Sequence, residues 1–178
     1  MEIAKEITGK VYQFGDDIDT DQIYPGRYLY LTLPDEMAKH IMEDADSHFY
    51  EKIKEEGGII IAGKNFGCGS SREHAARVLL YAGVKAVIAK SFARIFFRNA
   101  INVGLPIFQS AEPSPAIVSG AIVNINITQG TITNISNVEI VKIEVKLPEQ
   151  MIQLIQSGGL IPFLKKYGRK AYHQKFSE

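Results

Sequence analysis

Gly58 to Ala89 reads GIIIAGKNFGCGSSREHAARVLLYAGVKAVIA, and this stretch decides the fold. GIIIA (58–62) is a short apolar run bounded by glycines, the pattern of a buried strand. Residues 71–82 carry Ala75, Val78, Leu79 and Ala82 at helical spacing, and Gly83 supplies the stop. VKAVIA (84–89) is a second strand, residues 92–103 a second helix and Leu105 to Phe108 a third strand. Strand–helix–strand–helix–strand in so short a span implies parallel pairing with right-handed crossovers.

Outward from this centre, ITGKVYQF (7–14) alternates as a strand and runs into acidic turns, Gly15-Asp16-Asp17 and Asp19-Thr20-Asp21. Pro25-Gly26 marks another turn before the aromatic and aliphatic stretch RYLYLT (27–32). Thr32 with Asp35 reads as a capping box opening a helix over about 34–43. Beyond the centre, AIVNINI (121–127), TITNI (131–135) and VEIVKIEV (138–145) predict an antiparallel meander. Residues 148–157 and 160–167 read as helices split by Gly158-Gly159. The fold class is α/β, a partly parallel central sheet flanked by helices, with an added antiparallel β portion. No composition break divides residues 1–178, so one domain is expected.

Apolar residues make up 46% of the 178 and charged residues 22%, the balance of an ordinary globular protein. Twenty basic residues offset twenty acidic ones, which argues against nucleic-acid binding, where affinity comes from many phosphate contacts. Lys165, Lys166, Arg169 and Lys170 read as a solvated helix end. No run approaches the roughly 20 apolar residues of a membrane span. MEIAKEITGKVYQFGDD has no secretory pattern, so a cytoplasmic location is expected. One cysteine, Cys68, excludes an intramolecular disulfide framework. It also cannot house an iron–sulfur cluster alone, because such clusters need several thiolates.

Gly67-Cys68-Gly69-Ser70-Ser71-Arg72-Glu73-His74 follows a strand and opens a helix. Unpaired N–H groups and the helix dipole favour an anion there, glycines such as Gly69 let the backbone approach it, and Arg72 can grip a carboxylate with two bonds. The P-loop pattern is not met, because no Lys follows Gly69, which leaves a phosphate site as the lesser reading. The plain alternative is a capping box made by Ser70 and Glu73. It leaves two glycines, two serines and an arginine within Gly67–Arg72 unexplained. His74 shares the helix face of Ser70 one turn on and reads best as a packed, hydrogen-bonded histidine. His40, His48 and His173 read as surface residues, and Arg94 and Arg98 as helix charges that either reach the site or stay solvated.

GCGSSREHA (67–75) closely resembles the signature of the swivelling domain of the aconitase superfamily. FGDDIDTDQIYPGRYL (14–29) resembles the opening of that family's small-subunit type, and KSFARIFFRNAINVGLP (90–106) its third block, all in order. The resemblance covers about residues 8–166 and implies a β/β/α swivelling domain. It implies a hydro-lyase that removes water from a 2-hydroxy dicarboxylic acid and returns it in the opposite sense. It further implies a large-subunit partner holding a 4Fe–4S cluster, with no cofactor and no metal ligand in this chain.

By the same resemblance Ser70 is the base, an alkoxide stabilised by surrounding N–H groups, and Arg72 binds a substrate carboxylate with help from Ser71 and Gly69. Asp21 matches the family's aspartate and orients catalytic groups or a water, an Asx turn or helix cap being the alternative. Arg27, Tyr28, Leu29, Tyr30 and Leu31 form the loop where relatives differ. Homoaconitase-like subunits carry arginine where Tyr30 stands, suited to a third carboxylate. An apolar, aromatic loop suits an isopropyl group, since an unpaired carboxylate there would be costly. An isopropyl-substituted malate is therefore the expected substrate, although Arg27 is near enough in sequence to swing in, and Tyr28 and Tyr30 could instead be packing residues. A homoaconitase or 2,3-dimethylmalate dehydratase type of small subunit is the alternative, and a non-catalytic anion-binding domain the distant one.

Overall fold

The computed structural model describes residues 6–110, 117–127, 129–136, 139–141 and 147–176. Strand β1 (Glu6–Gln13) leads to a single-turn helix α1 (Thr20–Ile23), a 3-10 turn at Gly26–Tyr28, and two short helices, α2 (Pro34–Ala38) and α3 (Phe49–Ile53). The central stretch forms β2 (Gly58–Ala62), α4 (Glu73–Tyr81), β3 (Val84–Ala89), α5 (Arg94–Val103) and β4 (Ile107–Gln109). Strands β5 (Ile122–Asn126), β6 (Thr131–Asn134) and β7 (Glu139–Val141) follow, then helices α6 (Glu149–Gln156) and α7 (Leu160–Phe176).

Among the described residues these strands make one seven-stranded sheet in the order β4-β3-β2-β1-β5-β6-β7. β1 pairs parallel with β2, placing Val11 opposite Ile59, and antiparallel with β5, placing Ile7 opposite Ile125. It is therefore the joint between a parallel half and an antiparallel half. The meander expected over 121–145 extends the same sheet, and residues 142–146 lie outside the described ones.

Parallel strands are covered on both faces, and the sequence of β2 shows why it can be: every one of its residues is buried. Ile60, Ala62, Val87 and Ala89 face a cluster completed by Ala75, Val78 and Leu79 of α4, Phe96 and Ala100 of α5, Leu154 of α6 and Phe163 of α7. Ile59, Ile61, Ala86 and Ile88 face the opposite cluster with Val11, Val123, Ile125 and Ile132. Helices thus close one face of the parallel half, while side chains of the antiparallel half join the cluster on the other.

Two expectations need correction. The helix foreseen over 34–43 stops at Ala38, and its N-cap is Leu33, which makes no side-chain cap. Pro34 starts the helix by its own fixed φ, so no Thr32–Asp35 box forms. Met42 then adopts a left-handed φ of 53° and bends the chain away. The last helix runs past residue 167 to Phe176, through a non-helical Gly168. Lys165, Lys166, Arg169 and Lys170 are exposed on it, as expected. Among the described residues no helix is long and apolar enough to cross a membrane.

The junction of α6 and α7 meets the end of α5 backbone to backbone. A Cβ on Gly159, at φ +104°, would lie 2.4 Å from Asn102 O, while one on Gly120, at φ +92°, meets nothing within 4 Å. Both positions carry the conformational cost of a side chain at positive φ, of order 1–3 kcal/mol. Gly159→Ala is expected to lose more than that through the clash, and Gly120→Ala only that, as read from paired urea unfolding curves.

Candidate active site

Strands β1, β2 and β3 run parallel, so the loops leaving their carboxyl ends gather at one edge, where open α/β sheets hold ligands. The loops are stitched together largely through main-chain groups. Asp17 N–H donates to Lys64 O at 2.8 Å, Gly67 N–H to Ile18 O at 2.7 Å and Thr20 N–H to Cys68 O at 2.8 Å. Phe66 N–H donates to Ser91 O and Ala93 N–H to Phe66 O, both at 3.0 Å, which ties in the loop after β3. Asp16 and Asp17, read from sequence as a turn, serve this seam too. Asp16 Oδ1 accepts from Lys64 N–H at 2.7 Å, and Asp17 Oδ1 accepts from Asn65 Nδ2 at 2.8 Å. Beneath Gly67 lies an aromatic floor of Phe66, Phe92 and Phe96, and a Cβ on Gly67 would stand 2.1 Å from Phe96 Cγ.

Ser70 and Ser71 sit exposed on this shelf. Ser70 does not cap the helix. The N-cap of α4 is Arg72, which provides no side-chain cap, and Glu73 pairs with Arg77 at 2.6 Å. The capping box is therefore not what these residues build, and the first turn of α4 keeps its N–H groups for another acceptor. One detail differs from expectation. Ser70 N–H is already donated to Thr20 Oγ1 at 3.0 Å, so it fixes the residue and does not serve an alkoxide. Ser70 Oγ makes no hydrogen bond among the described residues. Asn99 Nδ2 donates to Ser71 O at 3.2 Å and holds the next residue from the α5 side.

Arg72 and Asp21 come together. The guanidinium donates to Asp21 Oδ1 at 2.6 Å and Oδ2 at 3.1 Å, and Gly26 N–H donates to Oδ1 at 3.0 Å. The hydrogen bond from Arg72 holds the Asp21 carboxyl below its usual range, against the opposing effect of burial. Asp19, not Asp21, caps α1, accepting from Gln22 N–H while the Gln22 side chain accepts from Asp19 N–H. Asp21 is thus left to orient Arg72.

Arg27 is paired with carboxylates of the segment after α2. Its guanidinium donates to both oxygens of Asp44, at 2.9 and 2.7 Å, and to Glu43 Oε1 at 2.8 Å. Tyr28 Oη donates to the same Glu43 oxygen at 2.9 Å, and the Tyr28 ring stacks on His40 with centroids 3.6 Å apart. His40 Nδ1 lies 2.7 Å from Glu43 Oε2, so His40 is a packed member of this group and not the surface residue expected. Burial would raise the Glu43 carboxyl, but hydrogen bonds from His40, Arg27 and Tyr28 outweigh it and hold it low. The loop tip is free of these contacts: Leu29 is exposed and Tyr30 is 75% exposed, while Leu31 packs on the core. His48 is exposed as expected, and the His173 side chain lies outside the described residues. His74 is exposed on the first turn of α4 and not packed as expected, because the buried stripe of that helix is Ala75, Ala76, Val78 and Leu79. Arg94 and Arg98 are both exposed.

A cluster does not fit here. Burial and the neighbouring Asp19 and Asp17 raise the Cys68 thiol above its ordinary value, and Cys68 is the one cysteine of the sequence where a cluster takes several thiolates. Among the described residues no group of three His, Cys, Asp or Glu side chains is placed to hold an ion.

Thr20 is the contributor that sequence reading passed over, since a threonine between two aspartates reads as part of a polar turn. Thr20→Val keeps its shape and removes the acceptor for Ser70 N–H; a loss of about 0.5–1.5 kcal/mol in unfolding free energy is expected. For Asp21, the lowered carboxyl gives the sign. The pair with Arg72 contributes fully above the unfolded value near 3.8 and is lost as pH falls through the lower folded value. Because Asp21 is 57% exposed, the contribution is below about 1 kcal/mol. The stability gap between the protein and Asp21→Asn should therefore be constant at neutral pH and close in strong acid, as followed by urea unfolding.

Residues 4–112 match the family described as the aconitase C-terminal domain. The chain is 54% identical over 160 residues to the 3-isopropylmalate dehydratase small subunit of Heliobacterium modesticaldum, covering 90% of this chain and 95% of the relative. It is 50% identical over 160 residues to the isopropylmalate/citramalate isomerase small subunit of Methanocaldococcus jannaschii, covering 90% and 94%. A crystal structure of 3-isopropylmalate dehydratase from M. jannaschii superposes with a TM-score of 0.84 at 46% identity, over 96% of this chain and 98% of that one. With the motif on its shelf and these likenesses in sequence and fold, the chain belongs to the aconitase C-terminal domain family.

Proposed function

We propose that this chain is the small subunit of a 3-isopropylmalate dehydratase, a cytoplasmic hydro-lyase of leucine biosynthesis that interconverts 2- and 3-isopropylmalate with a large-subunit partner. The observation that carries the reading is the free, exposed Ser70 hydroxyl beside the uncapped start of α4 and the oriented guanidinium of Arg72. Relatives at about half identity over nine-tenths of the chain support the substrate class.

In this reading Ser70 Oγ, as the alkoxide, takes the proton from the carbon beside the hydroxyl-bearing carbon. The C–O bond breaks as the hydroxyl takes up a proton from solvent and departs as water, and a double bond forms between the two carbons. Water then adds in the opposite sense, its hydroxyl to the carbon that lost the proton and the proton held by Ser70 to the other carbon. A serine is a weak base unless its surroundings stabilise the anion. The open N–H groups of the α4 first turn and the charge of Arg72 supply that field. Arg72 holds a substrate carboxylate, with Ser71 and the close backbone at Gly69 beside it, and Asp21 keeps the guanidinium aimed. Tyr28, Leu29, Tyr30 and Leu31 form the wall for the isopropyl group, with Leu29 and Tyr30 at its exposed tip. The 4Fe–4S cluster belongs, in this proposal, to the large subunit, where Lewis-acid chemistry at the substrate hydroxyl would arise.

One second reading has an observation behind it. The M. jannaschii relative is named for both isopropylmalate and citramalate, and an exposed apolar tip tolerates a smaller alkyl group. The experiment is turnover by this chain with its cluster-loaded large subunit, on isopropylmalate, citramalate and a homocitrate-type acid in parallel. Activity on isopropylmalate only when both chains are present is expected. In the same assay Ser70→Ala should lower kcat by about 10²–10⁴-fold with unchanged assembly. Normal turnover by that variant would leave the chain a scaffold and sink the base assignment.

A further inference from the structure

Arg27 stands four residues before Leu31 at the foot of the loop that, on the function proposed above, meets the substrate side chain. A free arginine at that place would welcome a third carboxylate. Instead its guanidinium is held by two carboxylates on the segment that follows α2, both oxygens of Asp44 and one of Glu43. Glu43 is itself fixed, by Tyr28 Oη at 2.9 Å and His40 Nδ1 at 2.7 Å, and the guanidinium lies over the Tyr28 ring at 4.9 Å. The bend that brings this segment to the loop is a left-handed, buried Met42 whose N–H donates to Ile23 O at 2.9 Å. Strain of this kind persists only where the surroundings enforce it.

We propose that Glu43 and Asp44 are specificity-determining residues that lock Arg27 away from the substrate. The lock acts twice. It withholds the one cation of the loop from a carboxylate on the substrate side chain, and it leaves that cation beside two negative charges, which disfavour a further carboxylate. An isopropyl group meets neither penalty and finds Leu29 and Tyr30. His40 and Tyr28 act through Glu43 as positioning residues.

The test variant is Glu43→Gln with Asp44→Asn, which removes both charges and keeps an acceptor for Tyr28 Oη. Arg27 and Asp44 have side chains 50% and 39% exposed, and ion pairs so exposed contribute little, so the variant is expected to fold, as checked by its melting temperature. In the assembled enzyme the ratio of kcat/KM for a homocitrate-type acid to that for isopropylmalate should rise about three- to fivefold. Adding Arg27→Gln should return the ratio to its starting value. An unchanged ratio, or a rise that survives Arg27→Gln, overturns the proposal.

Trypsin gives an arm independent of turnover. In the isolated chain, cleavage after Arg27 should be slow and should quicken about tenfold in the double variant as the side chain is released. Equal cleavage rates overturn the lock whatever the enzyme does. A wild-type complex silent on isopropylmalate would instead overturn the function proposed above, while faster cleavage of the variant would still support the lock.

Discussion

Arg72 stands where the loop after β2 turns into α4, and its guanidinium closes on Asp21 of α1 with two bonds. Three pieces meet at this one contact. α1 is held to the start of α4, the 26–28 turn is held through Gly26 N–H on the same carboxylate, and the motif serines are carried between them. An arginine is a poor residue for a helix start, because the dipole there repels a cation and no cap is made. Asp21 offsets that cost locally by bringing a negative charge to the same helix end. What remains for an anion at α4 is a set of free N–H groups beside a guanidinium held in a fixed plane.

The parallel half was legible in the sequence because its signals do not compete. Glycine-bounded apolar runs and helical spacing agree from Gly58 to Phe108, and the observed strands and helices begin within a few residues of the expected ones. What the sequence could not say was where the meander joins. Edge choice depends on β1 pairing both ways, parallel with β2 and antiparallel with β5, and no local pattern encodes that. The region after Pro34 was misread for a different reason: the bend at Met42 is enforced by tertiary contacts, against the preference of a non-glycine residue.

At the site, the gathering of the motif residues was readable and their hydrogen bonds were not. Ser70, Ser71, Arg72 and Asp21 do come to one edge of the sheet. Thr20 holding Ser70, Asn99 holding Ser71 and Glu43 holding Tyr28 join residues 15 to 50 positions apart, or across a bend, and such pairs leave no periodic trace. The resulting shelf faces water. Fields set up by N–H groups and a guanidinium are worth far more once water is excluded. A partner that covers Ser70 would therefore strengthen the chemistry as well as complete the pocket.

The floor of that shelf is bonded mostly through main-chain atoms: Asp17 to Lys64, Ile18 to Gly67, Thr20 to Cys68, Phe66 to Ser91. Peptide groups are the same whatever side chain they carry. Residues such as Lys64 and Cys68 can then be exchanged over evolutionary time without disturbing the seam, while Gly67, wedged over Phe96, cannot. A frame indifferent to most of its own side chains is one whose exposed loops can vary without loosening it.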